Sequence, residues 1–166
     1  MSQAAPGAVR AYIGLGANLG DARGSVQAAW QVLGELPGSV AVACSSFYRT
    51  APVDATGPDF INAVAALDTT LTPLALLAGL QAIELRFGRE RPYRNAPRTL
   101  DLDLLTLGEQ VLDTPVLTLP HPRLHLRAFT LVPLAELAPA LVLPGLGRVD
   151  ALLAGVSDQA IVRLDV

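Results

Sequence analysis

The sequence predicts an α+β sandwich in which helices pack on one antiparallel sheet. Its patterns run in the order strand, helix, strand, strand, helix, strand, and further elements follow toward the C-terminus. A length of 166 residues suits one domain with a sizeable core, and no internal repeat or linker divides the chain. We therefore expect a single ferredoxin-like domain over residues 1–166, with added C-terminal elements and a flexible tail at residues 1–8.

Each predicted element rests on a local pattern. Glycines end the first strand, Pro37 and Gly38 stop the first helix, and Pro73 suits the first turn of the second helix. Small, β-branched and alternating apolar residues mark the strands, and residues 108–110 predict a tight turn into a hairpin with residues 111–112. In chain order the predicted elements are a strand at 9–15, a helix at 23–36, strands at 40–48 and 60–67, a helix at 72–87, a strand at 99–107, helices at 128–137 and 149–153, and a final strand or extended tail at 160–164.

Composition and charge argue against several classes of protein. Although 51% of the residues are hydrophobic, no apolar run approaches the roughly 18 residues of a membrane helix, and the first residues lack the pattern of a secretory signal. The single cysteine, Cys44, excludes an internal disulfide framework, and its apolar surroundings predict an inert core residue. A net charge of −3 argues against a nucleic-acid binder. We expect a cytoplasmic protein with neither membrane nor nucleic acid as its partner.

Two aspartates mark the most informative strand. Asp101 and Asp103 stand two positions apart in an apolar run, so they share one face of a strand while leucines occupy the other. Paired like charges are unfavourable unless a cation compensates them. Mg²⁺ is usually held by one or two carboxylates together with substrate phosphates. The pair therefore predicts a metal site beside a phosphate-bearing substrate, although an ordinary exposed strand face would show the same pattern.

A cluster of cations stands directly before this pair. Its members are Arg86, Arg89, Arg91, Arg94 and Arg98. All twelve basic residues are arginines, and the absence of lysine excludes a Walker A loop, the protein-kinase lysine and Schiff-base chemistry. The guanidinium fork matches phosphate oxygens bidentately. Acids for a metal and arginines for phosphate, side by side, predict phosphoryl-type transfer; a solvated charged loop is the alternative.

Two further motifs carry weaker signals. The glycines between Gly14 and Gly20 miss the dinucleotide-binding spacing by one residue, so a tight strand-to-helix turn is the favoured role. His121 and His125 are four positions apart, but the glutamate of a zinc-protease motif is absent and Pro122 disrupts a helix there. His121 is a better candidate for a phosphate contact, with a solvated loop histidine as the alternative.

Asn62 is an unexpected polar residue in an apolar strand. It either satisfies a buried backbone group or binds the donor–acceptor edge of a heterocycle. Phe60 and Phe129 would by default be core residues.

These residues together resemble the signature of 6-hydroxymethyl-7,8-dihydropterin pyrophosphokinases, enzymes of folate biosynthesis. The central motif, Arg-Asn-Ala-Pro-Arg-Thr-Leu-Asp-Leu-Asp-Leu-Leu at residues 94–105, is highly specific. Further matching segments follow the family order at 11–20, 45–50, 58–64, 83–84, 88–89, 120–122 and 127–129. The resemblance covers roughly residues 10–145, so the last twenty or so residues lie outside it.

The resemblance implies an enzyme that transfers the terminal diphosphate of ATP to the pterin hydroxymethyl group and releases AMP. The hydroxyl attacks the β-phosphorus, and two Mg²⁺ ions stabilise the charge in the family. A monomer with ATP and 6-hydroxymethyl-7,8-dihydropterin as its substrates is also implied. A loop of arginines would close over ATP and exclude water, which would otherwise hydrolyse it.

The implied site residues fall into groups by role. The metal ligands are Asp101 and Asp103, and the catalytic set is Arg89, Arg98, Asp101 and Asp103. The ATP-binding set is Gln81, Glu84, Arg91, Arg98, His121 and Arg127. The pterin-binding set is Thr50, Ala51, Val53, Phe60, Asn62 and Phe129, which would stack on the flat heterocycle and bond its edge.

Two other functions stay open at this point. A non-catalytic ferredoxin-like module would bind a nucleotide or small anion without producing AMP, but it would gain nothing from paired carboxylates beside its arginines. A metal-dependent phosphohydrolase would release phosphate or diphosphate without any pterin, but the sequence shows no clear base to activate water.

Overall fold

The structure is a computed structural model that describes residues 7–52, 57–87 and 100–164. Among the helices of these residues, none is both long and apolar enough to cross a membrane. The strands are β1 Val9–Ala17, β2 Ser39–Cys44, β3 Tyr48–Thr50, β4 Phe60–Thr69, β5 Asp101–Leu107, β6 Leu112–Asp113, β7 Thr118–Leu119, β8 Val142–Leu143, β9 Gly147–Arg148 and β10 Val162–Arg163. The α-helices are α1 Ala22–Leu33, α2 Pro73–Arg86, α3 Ala128–Leu137 and α4 Val149–Leu152, with 3₁₀ turns at Leu124–Leu126 and Leu153–Val156.

Side chains at the helix starts explain where α1 and α2 begin. The Asp21 carboxylate accepts a hydrogen bond from the Gly24 amide at 3.0 Å and caps α1. Thr72 caps α2 in the same way through the Ala75 amide, and Pro73 then occupies the first turn, where no intrahelical N–H is needed.

The main sheet follows the order β10-β3-β4-β1-β5, and β2 also pairs with β4. All its pairs are antiparallel. The core order β5-β1-β4-β2, joined by α1 and α2, is the ferredoxin-like arrangement, so the predicted fold class is confirmed.

Each face of the sheet carries an apolar core. Helices α1 and α2 cover one face, where Ile13 and Leu80 are fully buried. Helix α3 and the C-terminal elements cover the other, where Val64 and Leu131 are fully buried. Burying one such side chain contributes roughly 1.5–3 kcal/mol, and the two cores hold the strands between them as a rigid platform.

One irregularity interrupts β5. Ile13 pairs with Leu104 and Tyr12 with Thr106, so the register shifts and Leu105 is an extra residue in the ladder. This β-bulge lets Leu105 fill the α3-side core while its carbonyl accepts a hydrogen bond from the His121 amide at 2.8 Å.

Several predicted elements need correction. The single strand predicted at 40–48 is two strands, because residues 45–47 leave the ladder between β2 and β3. The predicted hairpin between residues 99–107 and 111–112 is wrong, since Leu112 pairs with Leu119 in a separate two-stranded sheet. The Gly108 amide instead bonds the Arg10 carbonyl of β1 at 2.7 Å, which directs the chain away from β5.

Other boundaries differ by small amounts. Helix α1 ends at Leu33 rather than residue 36, and β1 runs two residues further than predicted, through Gly16 to Ala17. Gly14, already inside the predicted strand, and Gly16 both lie in β1, so the turn proposed for these glycines is wrong at both positions, whereas Gly20 does have a positive φ of 60°.

Candidate active site

A cavity of about 300 Å³ opens on the α3 face of the sheet, and strand register sets its floor. Gly16 of β1 pairs with Asp101 on one side and with Asn62 on the other. The two side chains are thus two strand spacings apart, roughly 10 Å, with a glycine between them. Because Gly14 and Gly16 lack side chains, the floor between the acid and the amide is open.

Asp101 and Asp103 form the acidic edge of this cavity. Both line it and both are half-buried, while Leu102 between them is buried in the opposite core. The alternation predicted from the sequence therefore holds along this part of β5.

A buried carboxylate supports the strand between these acids. Glu84 of α2 is only 4% exposed, and its Oε2 accepts a hydrogen bond from the Leu102 backbone N–H at 2.9 Å. In the described part of the sheet β5 pairs only with β1, so this contact satisfies an amide that no neighbouring strand reaches.

The opposite edge of the floor is polar and aromatic. The Asn62 side-chain amide donates to the Thr50 hydroxyl at 2.7 Å, and both groups are buried. Phe60 lies two residue pairs along the same strands from Asn62, opposite Thr50, and Ala51 completes this wall. The amide is thus oriented by the protein, and its Oδ1 faces Gly16.

The start of α3 forms the wall facing this floor. Arg127, Phe129 and Thr130 line the cavity, and Arg123 joins them from the preceding loop. The guanidinium carbon of Arg127 lies 5.2 Å from the centre of the Phe129 ring, a cation–π geometry. The Thr130 hydroxyl donates to the Leu124 carbonyl at 2.8 Å and holds the loop to the helix.

Helix α3 is also tied to the β3 side of the cavity. The Tyr48 hydroxyl donates to one oxygen of Glu136 at 2.6 Å, and the Ser46 amide donates to the other at 2.8 Å. The aromatic wall and the strand bearing Thr50 are therefore held at a set distance from each other.

His121 is close enough to Asp103, Arg127 and Arg123 to interact with their charges, although it is not among the residues that line the cavity. Burial lowers its pKa below the ordinary value; Asp103 opposes this shift, while Arg127 and Arg123 add to it. The lowered pKa favours the neutral form of the ring. Its Nδ1 accepts the Arg123 amide at 3.1 Å, so the Nε2 carries the proton and serves as a neutral donor.

The donor set fits Mg²⁺ bound together with a phosphorylated substrate. In the described ranges no group of three or more His, Cys, Asp or Glu side chains could hold a metal by itself. The Asp101 and Asp103 carboxylates on one strand face would supply two hard oxygen ligands and would leave the remaining positions for phosphate and water.

The structure brings most of the predicted site residues together. Those that line the cavity are Thr50, Ala51, Phe60, Asn62, Asp101, Asp103, Arg127 and Phe129. Glu84 supports β5 from its buried side, and Gln81 is exposed on α2. Val53, Arg89, Arg91 and Arg98 lie outside the described residues.

Sequence reasoning missed several residues that line this cavity, among them Gly14, Gly16, Arg123 and Thr130. Gly14 and Gly16 were assigned to a turn, and Thr130 was not considered. Glycine inside a strand signals close approach of another group, so the pair could have been found from the strand pattern alone. Nothing in the local sequence distinguishes Thr130.

Comparison with known proteins identifies the family. The 7,8-dihydro-6-hydroxymethylpterin-pyrophosphokinase family matches residues 12–139. A Pseudomonas aeruginosa protein named 2-amino-4-hydroxy-6-hydroxymethyldihydropteridine pyrophosphokinase is 50% identical over 156 residues, which cover 93% of this chain and 96% of that protein. A Haemophilus influenzae protein of the same name is 40% identical, covering 95% of this chain and 99% of that protein.

Solved structures agree on the fold. A chain described as HPPK-DHPS in complex with substrates superposes with a TM-score of 0.73 over 91% of this chain at 12% identity. This chain spans 44% of the length of that larger one, so the likeness concerns the fold of one part of it. With the match over residues 12–139 and the 50% identity to a named relative, the chain belongs to the 7,8-dihydro-6-hydroxymethylpterin-pyrophosphokinase family.

Proposed function

We propose that this enzyme transfers the terminal diphosphate of ATP to the hydroxymethyl group of 6-hydroxymethyl-7,8-dihydropterin and releases AMP, a step of folate biosynthesis. Family membership and 40–50% identity to pyrophosphokinases over nearly their whole length support the activity. The observation that carries the site assignment is the shared cavity of Asp101, Asp103 and Asn62.

The amide side of the cavity suits the pterin. A flat heterocycle would lie against Phe60 and Phe129, and Asn62, held by Thr50, would bond its donor–acceptor edge. The backbone beside Ala51 adds further polar groups. Because the floor at Gly16 is open, the ring can approach the sheet closely, and its hydroxymethyl group would then point toward the acids.

The acidic side suits the polyphosphate. Asp101 and Asp103 would hold Mg²⁺, and two ions are part of this proposal; a bound Mg²⁺ supplies Lewis-acid stabilisation of phosphate charge. Arg127 would bind phosphate oxygens from the opposite wall, and the Nε2–H of His121, near Asp103, is a further proposed phosphate donor. Arg89, Arg91, Arg98 and Gln81 remain proposed ATP contacts on the strength of the family motif.

The arrangement explains how the reaction is favoured. The pterin and the polyphosphate occupy adjacent sides of one cavity, so the attacking hydroxyl and the β-phosphorus are brought within reach without a random encounter. Cations fixed by α3 and its preceding loop face the side where negative charge develops.

We also propose that the protein acts in the cytoplasm and that it is a monomer. Light scattering on purified protein would test the monomeric state.

The direct test is AMP release from ATP and Mg²⁺ with and without 6-hydroxymethyl-7,8-dihydropterin. We expect AMP to form only with the pterin, and mass spectrometry should show the pterin gaining a diphosphate group. ATP and pterin binding without AMP would instead indicate the non-catalytic module, and the activity would then be rejected.

A further inference from the structure

Gln159 lies outside the segment that the family matches, yet it contacts the wall of the cavity. The family match ends at residue 139, and Gln159 follows the 3₁₀ turn Leu153–Val156 in the C-terminal part of the chain. Its backbone amide bonds the Val156 carbonyl at 3.0 Å, and Val156 is buried in the α3-side core. The side chain therefore starts from a fixed position.

The Gln159 side-chain amide forms two hydrogen bonds to the backbone around Arg127. Its Oε1 accepts from the Ala128 N–H at 2.8 Å, and its Nε2 donates to the Leu126 carbonyl at 2.9 Å. A side-chain amide offers a donor and an acceptor side by side without any change of protonation. The two contacts bracket Arg127 on both sides.

These two hydrogen bonds lie where the backbone changes conformation. Arg127 is extended, with φ −127° and ψ 122°, and the residues after it are helical. No side chain at the N-cap position itself caps α3, so Gln159 supplies a partner for one of the first free helical amides. The direction in which the Arg127 and Phe129 side chains leave the backbone depends on this junction.

We propose that Gln159 is a positioning residue that orients Arg127 and Phe129 toward the substrates. The inference rests on the proposed function, because it assigns the Arg127 guanidinium to phosphate and the Phe129 ring to the pterin. It gives the C-terminal segment a part in the site although no residue of that segment lines the cavity in the described structure.

Two substitutions separate positioning from simple stabilisation. Gln159→Leu removes both hydrogen bonds. Gln159→Glu keeps an acceptor for Ala128 and places a negative charge near the start of α3, which stabilises a helix, but it cannot donate to Leu126. Its melting temperature should therefore exceed that of the leucine variant. Ser157→Ala, which removes a hydrogen bond to the Ala154 carbonyl in the same segment, is the matched control.

The measurement is steady-state kinetics at 25 °C, well below unfolding, together with thermal melting. We expect kcat/KM for the pterin to fall about tenfold in both Gln159 variants, as the loss of roughly one net hydrogen bond would give, and to stay unchanged in Ser157→Ala. Amide hydrogen exchange at Ala128 should accelerate in the leucine variant whether or not the enzyme turns over.

The outcomes distinguish this inference from the proposed function. If the wild-type protein forms no pterin-dependent AMP, the proposed function fails and Gln159 has no activity to support. If the wild type is active and both variants keep its kcat/KM, the inference is overturned. A loss confined to the less stable leucine variant also overturns it, because Gln159 would then act only as a helix cap.

Discussion

At the scale of single residues, the acidic pair has the sharpest expected effect. Asp103→Asn keeps the shape of the side chain and removes its charge, so it should lower kcat/KM by more than about 100-fold while the melting temperature stays near the wild-type value. The exposed acid Asp113, replaced by asparagine, is the control, since it lies on β6 away from the cavity. Full activity of Asp103→Asn with Mg²⁺ would refute the assignment of Asp103 as a metal ligand.

Gly16 makes a second residue-scale prediction. A Cβ added there would lie 3.0 Å from the Asn62 Oδ1, which is tight enough to displace the amide, and the methyl group would also narrow the floor. We expect Gly16→Ala to raise the KM for the pterin about tenfold, equivalent to losing one good contact. In the control variant Gly155→Ala, the added Cβ has no atom within 4 Å, so this variant should bind the pterin normally. An unchanged pterin KM for Gly16→Ala would refute the assigned floor.

Site residues were predictable where their role follows from the pattern of the neighbouring sequence. Asp101 and Asp103 share a face because of strand alternation, and Asn62 was notable because it interrupts an apolar run. Thr130 and Gln159 were missed because their roles come from contacts with distant segments. No local pattern contains that information.

At the scale of elements, the contact between α2 and β5 links the helical core to the acidic strand. Glu84→Leu would leave the buried Leu102 N–H without its acceptor, whereas Glu84→Gln retains a side-chain carbonyl for it. We expect the leucine variant to lose about 1–3 kcal/mol of unfolding free energy and to need several times more Mg²⁺ for half-maximal activity. The glutamine variant should stay close to wild type in Mg²⁺ requirement.

Hydrogen exchange provides a check that does not depend on activity. The Leu102 amide should exchange faster in Glu84→Leu than in Glu84→Gln, because only the latter keeps its partner. Equal exchange rates would show that the carboxylate does not hold this strand.

Element boundaries were predictable where capping residues mark them. Thr72 and Pro73 placed the start of α2. Helix α3 was also predicted with the bounds that the structure has, although no N-cap side chain marks its start. No glycine or proline marks the break between β2 and β3 in the sequence. It arises because the Ser45 hydroxyl accepts the Val64 amide and the Ser46 amide bonds Glu136, both long-range contacts.

At the scale of the whole molecule, the buried Tyr48 hydroxyl and the half-buried Cys44 thiol predict how stability depends on pH. Burial raises the pKa of the Tyr48 hydroxyl to about 12 and that of the Cys44 thiol to about 11, with Glu136 contributing to both. The unfolded chain releases these protons at lower pH than the folded protein does. Stability should therefore fall as the pH rises from about 9 toward 12.

Denaturant unfolding between pH 8 and 11 measures this effect. Tyr48→Phe should be less stable at pH 8, because the hydrogen bond to Glu136 is lost, but its stability should decline less steeply with pH. If the stability of Tyr48→Phe declined with pH as steeply as that of the wild type, deprotonation of Tyr48 would not be the cause of the decline. The raised pKa also agrees with the expectation that Cys44 is chemically inert, although the residue is only half-buried.

The bulge at Leu105 has a consequence for how the site tolerates changes in chain length. Without this one residue, Leu104 and Thr106 could still pair with Ile13 and Tyr12 in an unbroken ladder, so the sheet itself does not require it. What would disappear is the carbonyl that anchors His121 and the side chain that fills the α3-side core. A single-residue deletion here would therefore leave strand pairing possible, yet the protein would lose a buried core side chain and His121 would lose its backbone anchor together.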